Sequence, residues 1–341
     1  MIDDEPIAEG EATPIPAPGA DAKTGRQRTI ILNTLRYVLL VLVVAAAVWQ
    51  LWVNWEVVSS TVSGLQWQRV LVSFLALLAG IAFATLSWQV LVDDLGTPIG
   101  IGRGAQIFLV GLLGKYLPGS VWAYVLQIEL GRKAGLARAR VFAATLFSLM
   151  VVVVAALIAG ALAVPELVAE DPRLSWLPWL YLLLPFALVM LHPKIMTAIV
   201  RFGFRVLRRP RPDHPVTFSV VAKSLGLAIL SYVAYGVHLW LLADTGQGLT
   251  LGPLALCIGT MGIAMIAGLV VFLLPSGVGA RELVIVAALA PFVGVGAATA
   301  FAAVSRLMFI VADLLTAGSA TLMAVITRRR TGEYHGDPGV E

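Results

Sequence analysis

Residues 115–123 read KYLPGSVWA and residues 272–280 read FLLPSGVGA, and the fold turns on reading them as two copies of one device. Pro118 aligns with Pro275, 157 positions further on. Leu117/Leu274, Val121/Val278 and Ala123/Ala280 then coincide, with Gly and Ser exchanged after each proline. Both copies lie inside long apolar segments. Proline lacks an N–H and glycine is permissive, so each copy is predicted to break a helix where a break is expensive. Gly/Pro interruptions at matching positions of two halves point to a site at the interface of an internal repeat.

The surrounding composition is that of an integral membrane protein. Hydrophobic residues make up 59% and charged residues 13% of 341, and the mean hydropathy is +0.89, far from a soluble domain. Residues 1–28, rich in Pro, Ala, Gly, Asp and Glu, are predicted to be a disordered tail. The run at 30–52 is too long for a signal-peptide core and is read as an uncleaved span. Full spans are expected near 30–52, 70–92, 141–164, 175–192, 224–243 and 297–326. Together they make one all-α membrane domain over 29–327, with pseudo-repeat halves at about 30–164 and 175–326 and a short tail at 328–341. The single cysteine, Cys257, excludes an intrachain disulfide and is read as a small core residue.

The linkers sort by charge. Lys23, Arg26 and Arg28 precede the first span; Arg132, Lys133, Arg138 and Arg140 follow the first break; Lys194, Arg201, Arg205, Arg208, Arg209, Arg211 and Lys223 fill the longest linker; Arg328, Arg329 and Arg330 close the last span. The opposite linkers hold Glu56, Glu166, Glu170, Asp171 and Asp244. The positive-inside rule puts both termini in the cytoplasm of a cell-membrane protein. Trp49, Trp52, Trp55, Trp67, Trp176, Trp179 and Trp240 then fall near the outer interface, as an aromatic belt should. Segment 105–128 has basic residues on both flanks, yet two crossings need about 40 residues. It is therefore predicted to be a re-entrant hairpin turning at Pro118–Ser120. Segment 253–292 is either a mirror-image hairpin from the other face or two full spans. Two such hairpins would form an inverted repeat with tips near the midplane. The N–H groups freed there favour anions.

Lys115, Arg281, Glu282, Arg306 and Asp313 fall within or beside apolar segments, where an ionisable group is a functional candidate by default. Glu282, seven residues after Pro275, is read as a proton or head-group amine partner, or as an ion-pair partner of Arg281 or Arg306. Arg306 and Asp313 share a face of the last span, roughly 10 Å apart along it; stabilising pairs with neighbouring helices and a site role are both open. Lys115 either joins the site or snorkels to the cytoplasm. His238, on an apolar helix, is read as packed and hydrogen-bonded rather than as a proton relay.

LPSGVGARE at 274–282, followed by SRL at 305–307 and Asp313, resembles the lysylphosphatidylglycerol synthase transmembrane-region family, also called flippase-like domain proteins. KYLPGSVW at 115–122 is similar to that family's first Pro-Gly break. The resemblance covers roughly 30–326. It implies that Pro275, Gly277, Gly279 and Glu282 belong to the family's second signature, and Pro118 and Gly119 to its first. It also implies movement of lipids between leaflets. The chain departs from the family in having no appended synthase domain, and Tyr124 and Val125 stand where many relatives carry an Arg after the first break. The lipid head group is left open by that departure.

The leading expectation is a lipid transporter, flippase- or scramblase-like, for a phospholipid, glycolipid or polyprenyl-phosphate-linked sugar. The head group would pass along a polar groove while the tails stay in lipid. No GxxxxGK[ST] loop occurs, so transport is expected to be downhill or ion-coupled, with Glu282 the proton carrier. The alternative is a non-catalytic subunit scaffolding a glycosyltransferase or lipid synthase. An enzyme is disfavoured: His192, His214, His238 and His335 are scattered, with no HExxH and no clustered carboxylates. No cofactor, metal or nucleic acid is expected; anionic inner-leaflet lipids suit the basic linker 194–223.

Overall fold

The structure is a computed structural model that describes residues 66–116, 121–206, 216–243, 251–270 and 279–330, with a few single positions before them. All lie in the second of the chain's two compact units, Ala46–Glu341. The expected span at 30–52, apart from two single positions, and residues Pro118, Gly119, Pro275 and Gly277 fall outside the described residues. Among the described residues there are helices and turns and no strand.

Helix α1, Trp67–Asp94, is an apolar run without proline. It ends where Asp93, Asp94, Gly96 and Pro98 cluster. Arg140 secures that end: its Nε and Nη2 donate to the Val92 carbonyl at 2.9 and 2.7 Å, and Nη2 to that of Thr97 at 2.6 Å. Such carbonyls have no partner within their own helix. Helix α2, Ile101–Leu112, tightens into a 3-10 turn, Leu113–Tyr116, and α3 follows at Val121–Lys133. At 1.5 Å per residue these arms are roughly 18 and 20 Å long, short of the ~30 Å hydrocarbon core. They pack against each other. A Cβ on Gly114 would fall 2.6 Å from the Ala123 nitrogen, so only glycine admits this approach.

Helix α4, Arg138–Ala161, is followed by α5, Val164–Glu170, and then by short pieces including α6, Leu177–Leu180, and α7, Leu184–Met190. Prolines 172, 178 and 185 account for that fragmentation. The remaining helices are α8, Pro193–Val206; α9, Phe218–Leu242; α10, Leu251–Val270; α11, Ala280–Val293; and α12, Val295–Arg330. Among the described residues, six helical stretches are long and apolar enough to cross a bilayer: 67–94, 138–161, 172–190, 218–242, 251–270 and 295–326. The chain is an all-α, multi-pass membrane protein.

Within segment 253–292 the two arms differ in length. Its first arm, α10, has 20 residues and its second, α11, has 14. The run 251–270 carries no charge, and its proline sits in the first turn where it is tolerated, so nothing stops the helix before residue 270.

Element order repeats along the chain: α1, α2, α3 and α4 correspond to α9, α10, α11 and α12. The packing repeats with it. The pairs α1–α2, α2–α3, α3–α4, α1–α4, α4–α9 and α4–α10 have as counterparts α9–α10, α10–α11, α11–α12, α9–α12, α12–α1 and α12–α2. The most extensive pairing joins the two equivalent helices α1 and α9. They run antiparallel, since Ser73 meets His238, Gly80 meets Ser231 and Ser87 meets Ser224. Ser87 and Ser224 each donate to the other's carbonyl, at 2.8 and 3.0 Å. Ser231 donates to the Gly80 carbonyl at 2.9 Å. Small residues let the backbones approach, and their hydroxyls hold them together where lipid supplies no hydrophobic drive. The core gathers around this pair, with Leu77, Trp88, Phe147, Leu239 and Met261 fully buried.

Candidate functional site

One face of α12 collects what the two breaks deliver. Ser305, Arg306, Phe309 and Asp313 occupy successive turns of that helix. From the first break, the 3-10 turn carries Lys115 and Tyr116. Lys115 Nζ lies 2.6 Å from Asp313 Oδ2, and the Tyr116 hydroxyl donates to the same oxygen at 2.6 Å. The Asp313 side chain is 3% exposed and that of Lys115 24%. Lys115 thus reaches inward to Asp313 rather than snorkelling to the cytoplasm.

From the second break, α11 begins at Gly279, whose φ of +89° suits glycine. The Gly279 N–H donates to Glu282 Oε2 at 2.7 Å. The helix start that sequence reasoning offered to an anion is therefore taken by the chain's own carboxylate. The other Glu282 oxygen forms an ion pair with Arg306 Nη1. Between Arg281 and Arg306, the two partners the sequence offered, the geometry selects Arg306.

Arg281 is held differently. Its guanidinium carbon lies 3.8 Å from the centre of the Phe309 ring, and Nη2 donates to Ser305 Oγ at 3.3 Å. The arginine is 9% exposed, and its Nε has no partner among the described residues. A buried, aromatic-stacked guanidinium with a free donor is a ready phosphate ligand. Ser305 also meets His238 Nε2 at 3.0 Å, while Ser73 meets Nδ1 at 2.8 Å. His238 is thus packed and hydrogen-bonded on both nitrogens, linking the α1–α9 pair to the site.

Lys115, Arg281 and Asp313 line a cavity of about 280 Å³. Its walls are largely apolar, with Ile81, Trp88, Phe108, Val152 and Leu269 among them. Glu282 and Arg306 are not on this wall. At the far side Trp88 Nε1 donates to Thr145 Oγ1 at 3.4 Å, which in turn donates to Gln127 Oε1 at 3.1 Å. Of the residues singled out from sequence, five charged ones and Gly279 come together here; Pro118, Gly119, Pro275 and Gly277 lie outside the described residues. Tyr116, Ser305 and Phe309 were not singled out. The spacing of Ser305, Phe309 and Asp313, four residues apart each time, was the available signal.

Residues 37–315 match the profile of the family described as the lysylphosphatidylglycerol synthase TM region. The chain belongs to that family. The match covers the described part of both breaks and every charged residue of the site. No curated protein matches the chain by sequence. For this member of the lysylphosphatidylglycerol synthase transmembrane-region family, membership supports a membrane role in lipid metabolism or transport.

Proposed function

We propose that this protein is a flippase- or scramblase-like lipid transporter whose site is the cavity beside the two breaks. One observation carries the reading: Arg281 is buried on the cavity wall with Nε unpartnered among the described residues. In a membrane such a cation calls for an anion. A lipid phosphate at Arg281, with apolar cavity walls beside it, meets both demands of an amphiphile. The substrate is a phospholipid, glycolipid or polyprenyl-phosphate lipid, moved without covalent chemistry. The antiparallel α1–α9 pair and the matched packing pairs support an inverted repeat. The short arms α2 and α3 support a re-entrant hairpin. Helix α8 buries Met196, Val200 and Phe204 and exposes Ile199, Arg201, Phe202 and Arg205; that pattern supports contact with an anionic inner leaflet. We place the protein in the cell membrane with both termini cytoplasmic.

The test is leaflet-specific translocation of a head-group-labelled phospholipid by purified protein in liposomes. Wild type is expected to equilibrate the leaflets, and Arg281→Gln to lose at least about tenfold in rate. A folded Arg281→Gln protein that translocates at the wild-type rate overturns the reading.

A further inference from the structure

We propose that Asp313 is a built-in competitor of the lipid phosphate: it holds Lys115 in the empty site and yields it to an arriving head group. The inference rests on the cavity being the head-group site and adds how that site is filled.

Among the described residues, the charges on the cavity wall are two cations, Lys115 and Arg281, and one carboxylate, Asp313. Glu282 and Arg306 neutralise each other off the wall. The wall therefore carries one surplus positive charge, which a monoanionic phosphodiester balances with Asp313 still ionised. No proton has to be taken up for the site to become neutral.

The two ends of the Lys115–Asp313 pair differ in freedom. Asp313 sits on a continuous helix and is 3% exposed, whereas Lys115 is 24% exposed at the last turn before a break. Lysine is a compact charge on a flexible stem, so it is the partner that moves. Tyr116 donates to the oxygen that holds Lys115. When Lys115 swings to phosphate, the hydroxyl remains on Asp313 and the carboxylate is not left bare. Arg281 stays fixed, stacked on Phe309 and bonded to Ser305. A phosphate would then be gripped by one cation from each break, while Tyr116 keeps the first break tied to α12.

The experiment measures binding of dioctanoyl phosphatidylglycerol, and separately of soluble glycerol phosphate, to purified full-length protein by calorimetry. Asp313→Asn keeps an acceptor for Tyr116 but removes the competing charge. It is expected to bind the lipid about tenfold more tightly than wild type. Lys115→Gln is expected to bind about tenfold more weakly, and Lys115→Gln/Asp313→Asn to show no gain over Lys115→Gln. The double variant removes both charges of the pair together, so it also serves if either single variant fails to fold. The exchange Lys115→Asp/Asp313→Lys restores the ion pair and is expected to fold yet bind weakly. Asp313→Asn affinity at or below wild type overturns the proposal, as does a gain that persists without Lys115 or wild-type binding by the exchanged pair. Gains equal for glycerol phosphate and lipid assign the site to free phosphate and overturn its lipid part. Wild-type binding by Arg281→Gln would instead remove the head-group reading itself, a distinguishable failure.

Discussion

Glu282 does two things with its two oxygens: it caps the Gly279 N–H and pairs with Arg306. Glu282→Gln keeps a neutral acceptor for the cap and loses the ion pair. The side chain is 21% exposed, so screening softens the loss relative to a fully buried pair. Lipid translocation is expected to fall strongly while the detergent-solubilised protein unfolds only a few degrees lower. Collapse of folding with no separate effect on rate would assign Glu282 to structure alone. The candidate charges themselves were legible, because an ionisable residue in an apolar run is conspicuous in any sequence. The Glu282–Arg306 pairing was one of the two that the sequence offered, whereas the Lys115–Asp313 pairing was not legible. Lys115 and Asp313 are far apart in the chain, and no periodicity links them. Phe309 was hidden for the opposite reason: one more aromatic in an apolar helix carries no mark until a guanidinium lies over it.

At the scale of elements, most spans could be read, since apolar length states them directly. Helix α10 shows the limit. The motif at 272–280 marks where the segment breaks, yet says nothing of where the arm before it starts, so an even hairpin and a pair of spans looked alike. The α2–α3 hairpin was expected from charge on both flanks, whereas the tight packing of the two helices depends on Gly114. Gly114→Ala would push a methyl against the Ala123 backbone, which cannot move aside as a side chain end would. The arms are expected to part, with loss of about 1–3 kcal/mol of stability, read as a lower midpoint in thermal unfolding. An unchanged midpoint would mean that the close approach at Gly114 is not what holds the arms together. The seam of Ser73, Ser87, Ser224 and Ser231 was missed because serines fourteen or seven residues apart in an apolar helix resemble ordinary polar punctuation.

For the whole molecule, both termini are expected on the cytoplasmic side. Single cysteines at positions 20 and 335 should resist an impermeant maleimide in intact cells and react after permeabilisation. The background is quiet, because the only native cysteine, Cys257, is fully buried. Labelling of either position from outside would reverse the topology. The α1–α9 seam has a further meaning at this scale. The seam is closed at one end by the Ser87–Ser224 pair and at the other by Ser73 with His238. Were the halves interchangeable, a conformation open to one face and its mirror open to the other would be isoenergetic, and neither would be preferred. His238 stands where that degeneracy is lifted: the serine–serine contact at one end of the seam becomes, at the other, a histidine tied through Ser305 to Arg281. On the inverted-repeat reading, the resting state of the transporter is a choice written into one residue of an otherwise reversible frame.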